Sequence, residues 1–258
     1  MGMDYTLQCA AAQIPCRLAL PLGGEPQRVV LGVHGLGGCM DDEIQAGIAE
    51  EMTLFGAASV RFDLPCHGQN RGEENVLALQ PCVDALLAVA ADAKARFPQV
   101  EELCVFATGF GAYVTLVALS KLQELPGSIR LVVQTPGVRM HDTILSMLRM
   151  SKETLRAMER KTLAAPRPFE VTYDFYEELR QNVVLATHEI PMLILQGEAD
   201  DYISMSDIRS FRNINDQSKL VIIPGTSHRF QEDGAWDMVL DLTRDWFSCQ
   251  QVLVTDWE

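Results

Sequence analysis

The chain has 258 residues, enough for one large domain with a sizeable core, and its length does not require two. Asp and Glu total 35 against 21 for Lys and Arg, a net charge of -14 that repels phosphate and so excludes nucleic acid and anionic membrane surfaces as expected partners. Seven scattered cysteines (Cys9, Cys16, Cys39, Cys66, Cys82, Cys104, Cys249) form no Cys-x-x-Cys pair and accompany no histidine cluster at zinc spacing. The expectation is a reducing, cytoplasmic setting with neither a disulfide framework nor a metal site.

The opening MGMDYTLQCAA lacks the basic start and apolar run of a signal peptide, and no run of 18 apolar residues follows anywhere. Tyr5 to Leu20 reads as a hairpin on a sheet edge, punctuated by Pro15 and the turn from Pro21 to Pro26. Then come six short, nearly continuous apolar runs: Arg28 to Val33, Ala58 to Phe62, Leu103 to Ala107, Ile129 to Gln134, Met192 to Gln196 and Lys219 to Ile223. Strands buried on both faces read this way. Helix-length segments separate them, near Asp41 to Phe55, Val76 to Phe97, Gly109 to Gln123, Ser204 to Arg212 and Asp233 to Phe247. Alternating strand and helix predicts a mainly parallel sheet.

One interval breaks the alternation. Residues 136–190 are too many for one crossover and read as helices over His141 to Met150, Lys152 to Lys161 and Tyr173 to Asn182. We expect a helical cap there, inserted into a core of residues 1–135 and 191–258. Met147, Met150 and Met158 would be its apolar face. Tyr173, Tyr176, Arg139 and His141 are candidates to meet a ligand but fit ordinary lid packing better, as Gln69 and Arg71 fit their loop.

The central question is the turn in LCVFATGFGAYVTLVAL. A dinucleotide fingerprint needs a third glycine where Val114 stands and an acidic residue where the next strand ends in Gln134-Thr135. A P-loop needs a Gly-Lys-Ser/Thr that is absent. The remaining reading is the nucleophile elbow Gly-x-Ser-x-Gly, whose frame Ala107-Thr108-Gly109-Phe110-Gly111 occupies with glycine at the centre. Four other segments agree in kind and order. His34-Gly35-Leu36-Gly37-Gly38 follows the first buried strand as a Gly-rich loop, and Asp63-Leu64-Pro65-Cys66-His67-Gly68 follows the next. MLILQGEADDYIS then offers Asp200, with Asp201 as the close alternative, and LVIIPGTSHRF offers His228.

With these motifs the chain resembles the α/β-hydrolase superfamily from Val29 to about Phe247, and most of all its feruloyl or cinnamoyl esterase and acylglycerol-lipase branches. Cys66 departs from that pattern, which has glycine there. The resemblance implies an α/β-hydrolase fold, no cofactor, an oxyanion loop at His34-Gly35-Leu36, an oxyanion hole from the Leu36 and Phe110 N–H groups, and an Asp200-His228 pair. It also implies a serine where Gly109 stands, and Gly109 has nothing to attack with.

Thr108, Cys104, Cys66 and Ser227 are the neighbours that could substitute, and none is expected where the base and the N–H groups converge. The expected protein is impaired as an esterase and binds a small acyl or aromatic ester-like ligand. An active serine-type carboxylesterase, with a displaced nucleophile or present as an inactivated variant, remains open. So do non-hydrolytic chemistry with His228 as base, a protein-interaction role, and the oligomeric state.

Overall fold

The computed structural model describes residues 2–9, 12–71, 76–164 and 167–248; Cys249 and the end of the expected core lie outside them. In chain order the first elements are β1 (Gly2–Cys9), β2 (Ala12–Ala19), β3 (Arg28–Val33), α1 (Glu43–Leu54), β4 (Ala57–Phe62) and α2 (Leu79–Arg96). They are followed by β5 (Glu102–Thr108), α3 (Gly109–Val117), α4 (Leu119–Leu122) and β6 (Ser128–Gln134). The chain closes with β9 (Met192–Gly197), α8 (Met205–Asn213), β10 (Ser218–Ile223) and α9 (Ala235–Phe247). One eight-stranded sheet runs β1-β2-β4-β3-β5-β6-β9-β10. β1 and β2 form the edge hairpin, β2 is antiparallel to β4, and the other pairings are parallel.

Alternation along the strands divides the core in two. Leu31 and Val33, Val105 and Ala107, and Ile194 face one cluster, while Val30, Cys104, Phe106, Val132, Leu193 and Leu195 face the other. On the first face α2 buries Leu79, Cys82, Val83, Leu86, Val89, Ala90 and Ala93, the three- and four-residue spacing of a helical stripe. On the second face α1 contributes Ile48 and Met52, and α9 contributes Val239 and Phe247. The runs were legible as continuous hydrophobicity because both faces are covered.

The sheet order reverses between β3 and β5, and the loops leaving their C-terminal ends part there. In open parallel sheets this crevice receives ligands. Residues 136–190 differ from an all-helical segment. They comprise α5 (Met140–Leu148), α6 (Lys152–Met158), an antiparallel pair β7 (Arg160–Leu163) and β8 (Phe169–Thr172), and α7 (Tyr173–Gln181). The helix expected to reach Lys161 stops at Met158, with Glu159 at φ 62, and Met158 is exposed rather than part of an apolar face. α7 is anchored to the core: Tyr113 Oη donates to the Asn182 carbonyl at 2.8 Å, and the Leu79 N–H at the start of α2 donates to Glu178 Oε2 at 2.7 Å. No helix among the described residues is long and apolar enough to cross a membrane.

Candidate active site

The site gathers at the C-terminal ends of the parallel strands. β5 ends at Thr108, and Gly109 turns the chain into α3 with φ +49, a left-handed conformation that glycine adopts without steric cost. Phe110 is the second residue of α3, so its N–H has no acceptor within the helix and points out of its first turn.

The loop after β3 is held by a buried histidine. The Leu64 N–H donates to His34 Nε2 at 3.0 Å, which fixes the proton on Nδ1, and Nδ1 donates to the Gly35 carbonyl at 2.9 Å. Burial pushes the His34 pKa down to about 4, as a neutral ring with an accepting Nε2 requires. His34 therefore braces the loop, while Gly35 and Leu36 border the cavity.

Asp63 at the end of β4 ties the next loop to this one, with Oδ1 accepting from the Met40 N–H at 2.7 Å and Oδ2 from the Gln69 N–H at 2.8 Å. Burial raises its pKa against the lowering pull of those two bonds. Gly68, at φ +50, lies against the Asp63 carboxylate where a Cβ would collide. Cys66 sits at φ 64, so the position read as glycine does require a left-handed residue.

Asp200 and His228 meet. His228 Nδ1 donates to Asp200 Oδ2 at 2.9 Å; Gln196 Nε2 donates to the same oxygen at 2.9 Å, and the Tyr202 and Ile203 N–H groups donate to Oδ1 at 2.9 and 3.0 Å. Burial would raise the Asp200 pKa, but His228 and the two N–H groups together hold it below the ordinary value. An ionised carboxylate only accepts, so the imidazole presents Nε2 as its acceptor nitrogen. Tyr202 packs edge-on at 5.2 Å and limits rotation of the ring. Asp201, the alternative acid, is exposed.

Gly35, Leu36, Gly109, Phe110 and His228 border one cavity of about 360 Å³. The segment 136–190 adds Met140, Thr143, Met147 and Leu163 to its wall. Tyr173, Tyr176, Arg139 and His141 instead pack among themselves and with neighbours, through the Tyr173–Glu177 hydrogen bond, the Tyr173–Tyr176 and His141–Tyr176 ring contacts and the Arg139–Asp207 ion pair. Arg71 donates to the Pro168 carbonyl. Among the candidate substitutes Cys104 is buried in β5 and Thr108 reaches the cavity wall, which includes neither Cys66 nor Ser227. Gln196 escaped sequence reading, although a lone amide in an otherwise apolar strand was its signal.

No family model matches the chain. Est1E from Butyrivibrio proteoclasticus superposes with a TM-score of 0.79 over 96% of this chain and 98% of that one, at 16% identity. Alpha/beta hydrolase domain-containing protein 10 from mouse gives 0.77 over 96% and 99%, at 14% identity. The chain has the α/β-hydrolase fold. At such identities the likeness is one of fold. Two curated Mycobacterium tuberculosis proteins, from strains CDC 1551 and H37Rv and each named "Putative phosphoribosyl transferase", are 24% identical to the α/β-hydrolase-fold chain over 246 residues, 95% of it and 46% of each of them. The chain thus spans about half the length of the curated relatives it matches.

Proposed function

We propose that this chain is an esterase-type cleft without its nucleophile, a protein that binds a small acyl or aromatic ester-like ligand and hydrolyses it feebly or not at all. The observation that carries the reading is the Asp200-His228 pair, set at 2.9 Å, whose His228 borders the same cavity as a glycine at the elbow. In this reading the Leu36 and Phe110 N–H groups face the ligand's carbonyl oxygen, His228 Nε2 faces its reacting side, and the insertion acts as a lid.

With serine at position 109, Nε2 would take the hydroxyl proton, the oxygen would attack the carbonyl carbon, and the alcohol would leave with the proton returned from the imidazolium. With glycine the covalent intermediate cannot form. What remains is a pocket, an N–H pair and a base, a combination that favours binding and leaves only the residual catalysis of such sites. The relatives' name is not carried over, because the chain matches under half of each of them.

Parallel assays of the chain and its Gly109→Ser variant on p-nitrophenyl butyrate and methyl ferulate test the reading. The variant alone should turn over, and the parent should melt higher in the presence of the esters. Fast turnover by the parent would favour a displaced nucleophile, and inertness of both, without any melting shift, would contradict the reading.

A further inference from the structure

We propose that Gln196 is a positioning residue for the base: it holds the Asp200 carboxylate and shares its charge, so that His228 gives up its proton readily and stands neutral toward the cleft. This rests on the cleft reading above for what the base is used for, and goes further by naming the group that sets its readiness.

Gln196 sits in β9 after Leu193, Ile194 and Leu195, and it is fully buried. Its Oε1 has no hydrogen-bond partner, and a methionine of similar length would fill the site without an orphaned carbonyl. What the amide contributes lies at its other end. Nε2 donates to Asp200 Oδ2 at 2.9 Å and, less closely, to the Gly197 carbonyl at 3.3 Å. The reverse orientation would set Oε1 against an ionised carboxylate, so the amide has one workable direction.

Around Asp200 the donors match the acceptor sites. Oδ1 takes the Tyr202 and Ile203 N–H groups and Oδ2 takes His228 Nδ1 and Gln196 Nε2, which together occupy the lone-pair positions of a carboxylate. The Asp200 side chain is 1% exposed, so solvent does not stand in for a missing donor. When the imidazolium loses its proton, the carboxylate keeps a buried charge that the Gln196 amide goes on stabilising. Without the amide, that charge is balanced more heavily by His228, and the ring holds its proton to higher pH.

The other charged or titratable groups near the ring are Tyr202 at its edge, Asp201, Arg229 and Glu232 exposed on the flanking loops, and Asp42 and Glu43 on the wall of the same cavity. Among the described residues Asp200 alone hydrogen-bonds the imidazole, and a change at Gln196 leaves all the others in place.

NMR titration of the histidine rings in the parent chain, Gln196→Met and Gln196→Leu reads the effect directly, with no ligand. The apparent midpoint of His228, assigned by its loss in His228→Ala, should rise by about 0.5 to 1 unit in both variants, part of the worth of one charge-assisted hydrogen bond. In the parent, the Gln196 side-chain amide signals should move with the same midpoint, a measurement that needs no folded variant. In the Gly109→Ser background, Gln196→Met should move the acid limb of the kcat/KM profile upward by the same amount at unchanged KM.

A midpoint that stays or falls in the variants, an acid limb that does not move, or parent amide signals that ignore the His228 titration would overturn the inference and leave Gln196 a space-filling residue. All three results leave the cleft's role standing. An inert Gly109→Ser variant would instead bring down the cleft reading, while the ligand-free titration still decides what Gln196 does.

Discussion

Gly109 and Gly111, two residues apart in one turn, stand in opposite surroundings. A Cβ at 111 would strike the carbonyl oxygens of Val33 and His34, whereas a Cβ at 109 would meet only the Gly35 Cα, at 3.9 Å. Gly111 lets α3 approach β3, and nothing in that backbone can yield. Gly111→Ala should therefore cost about 3 kcal/mol or more in urea unfolding. Gly109→Ser should cost only about 1–2 kcal/mol, the price of a left-handed backbone for a residue with a side chain.

The two buried histidines should make the fold acid-sensitive above the range of carboxylates. Burial pushes His34 and His67 down to about 4 from 6.5, and their rings lie 5.1 Å apart. The unfolded chain takes up these protons below pH 6.5 while the folded chain refuses them, so stability is whole above that value and falls as pH drops toward 4. At about 1.4 kcal/mol per pH unit the pair should lose on the order of 3 to 6 kcal/mol across that window. His67→Phe, which keeps a ring beside Phe110, should flatten the slope in denaturant titrations between pH 7 and 4.5.

Asp200 works lower on the scale. Its folded pKa is depressed, so its contribution is present above the unfolded value of about 3.9 and is lost as pH falls through the folded one. Asp200→Asn should remove that acid limb. In the Gly109→Ser background the same change should lower kcat by about 10⁴-fold, because an amide facing Nδ1 favours the wrong tautomer of His228.

The strand runs are readable because burial on both faces leaves hydrophobicity unbroken, and the order of elbow, acid and histidine marks His228 and the Asp200-Asp201 pair as candidates, of which the structure hydrogen-bonds Asp200 to His228. The choice between Asp200 and Asp201 was not readable, since it depends on which carboxylate the Tyr202 and Ile203 N–H groups enclose. Residues 136–190 were read as helices alone because β7 and β8 have four residues each, too few for a period-two pattern to register. His34 lay in a recognisable motif, yet only its bond to the Leu64 N–H distinguishes a brace from a ligand contact.

The most direct measurement is intact-mass spectrometry of the chain and of Gly109→Ser after exposure to a fluorophosphonate. The account predicts no adduct on the chain as it stands and a single adduct on the serine variant, at residue 109, abolished by adding His228→Ala. Stoichiometric labelling of the glycine form, or a folded serine variant that takes no label, would contradict it.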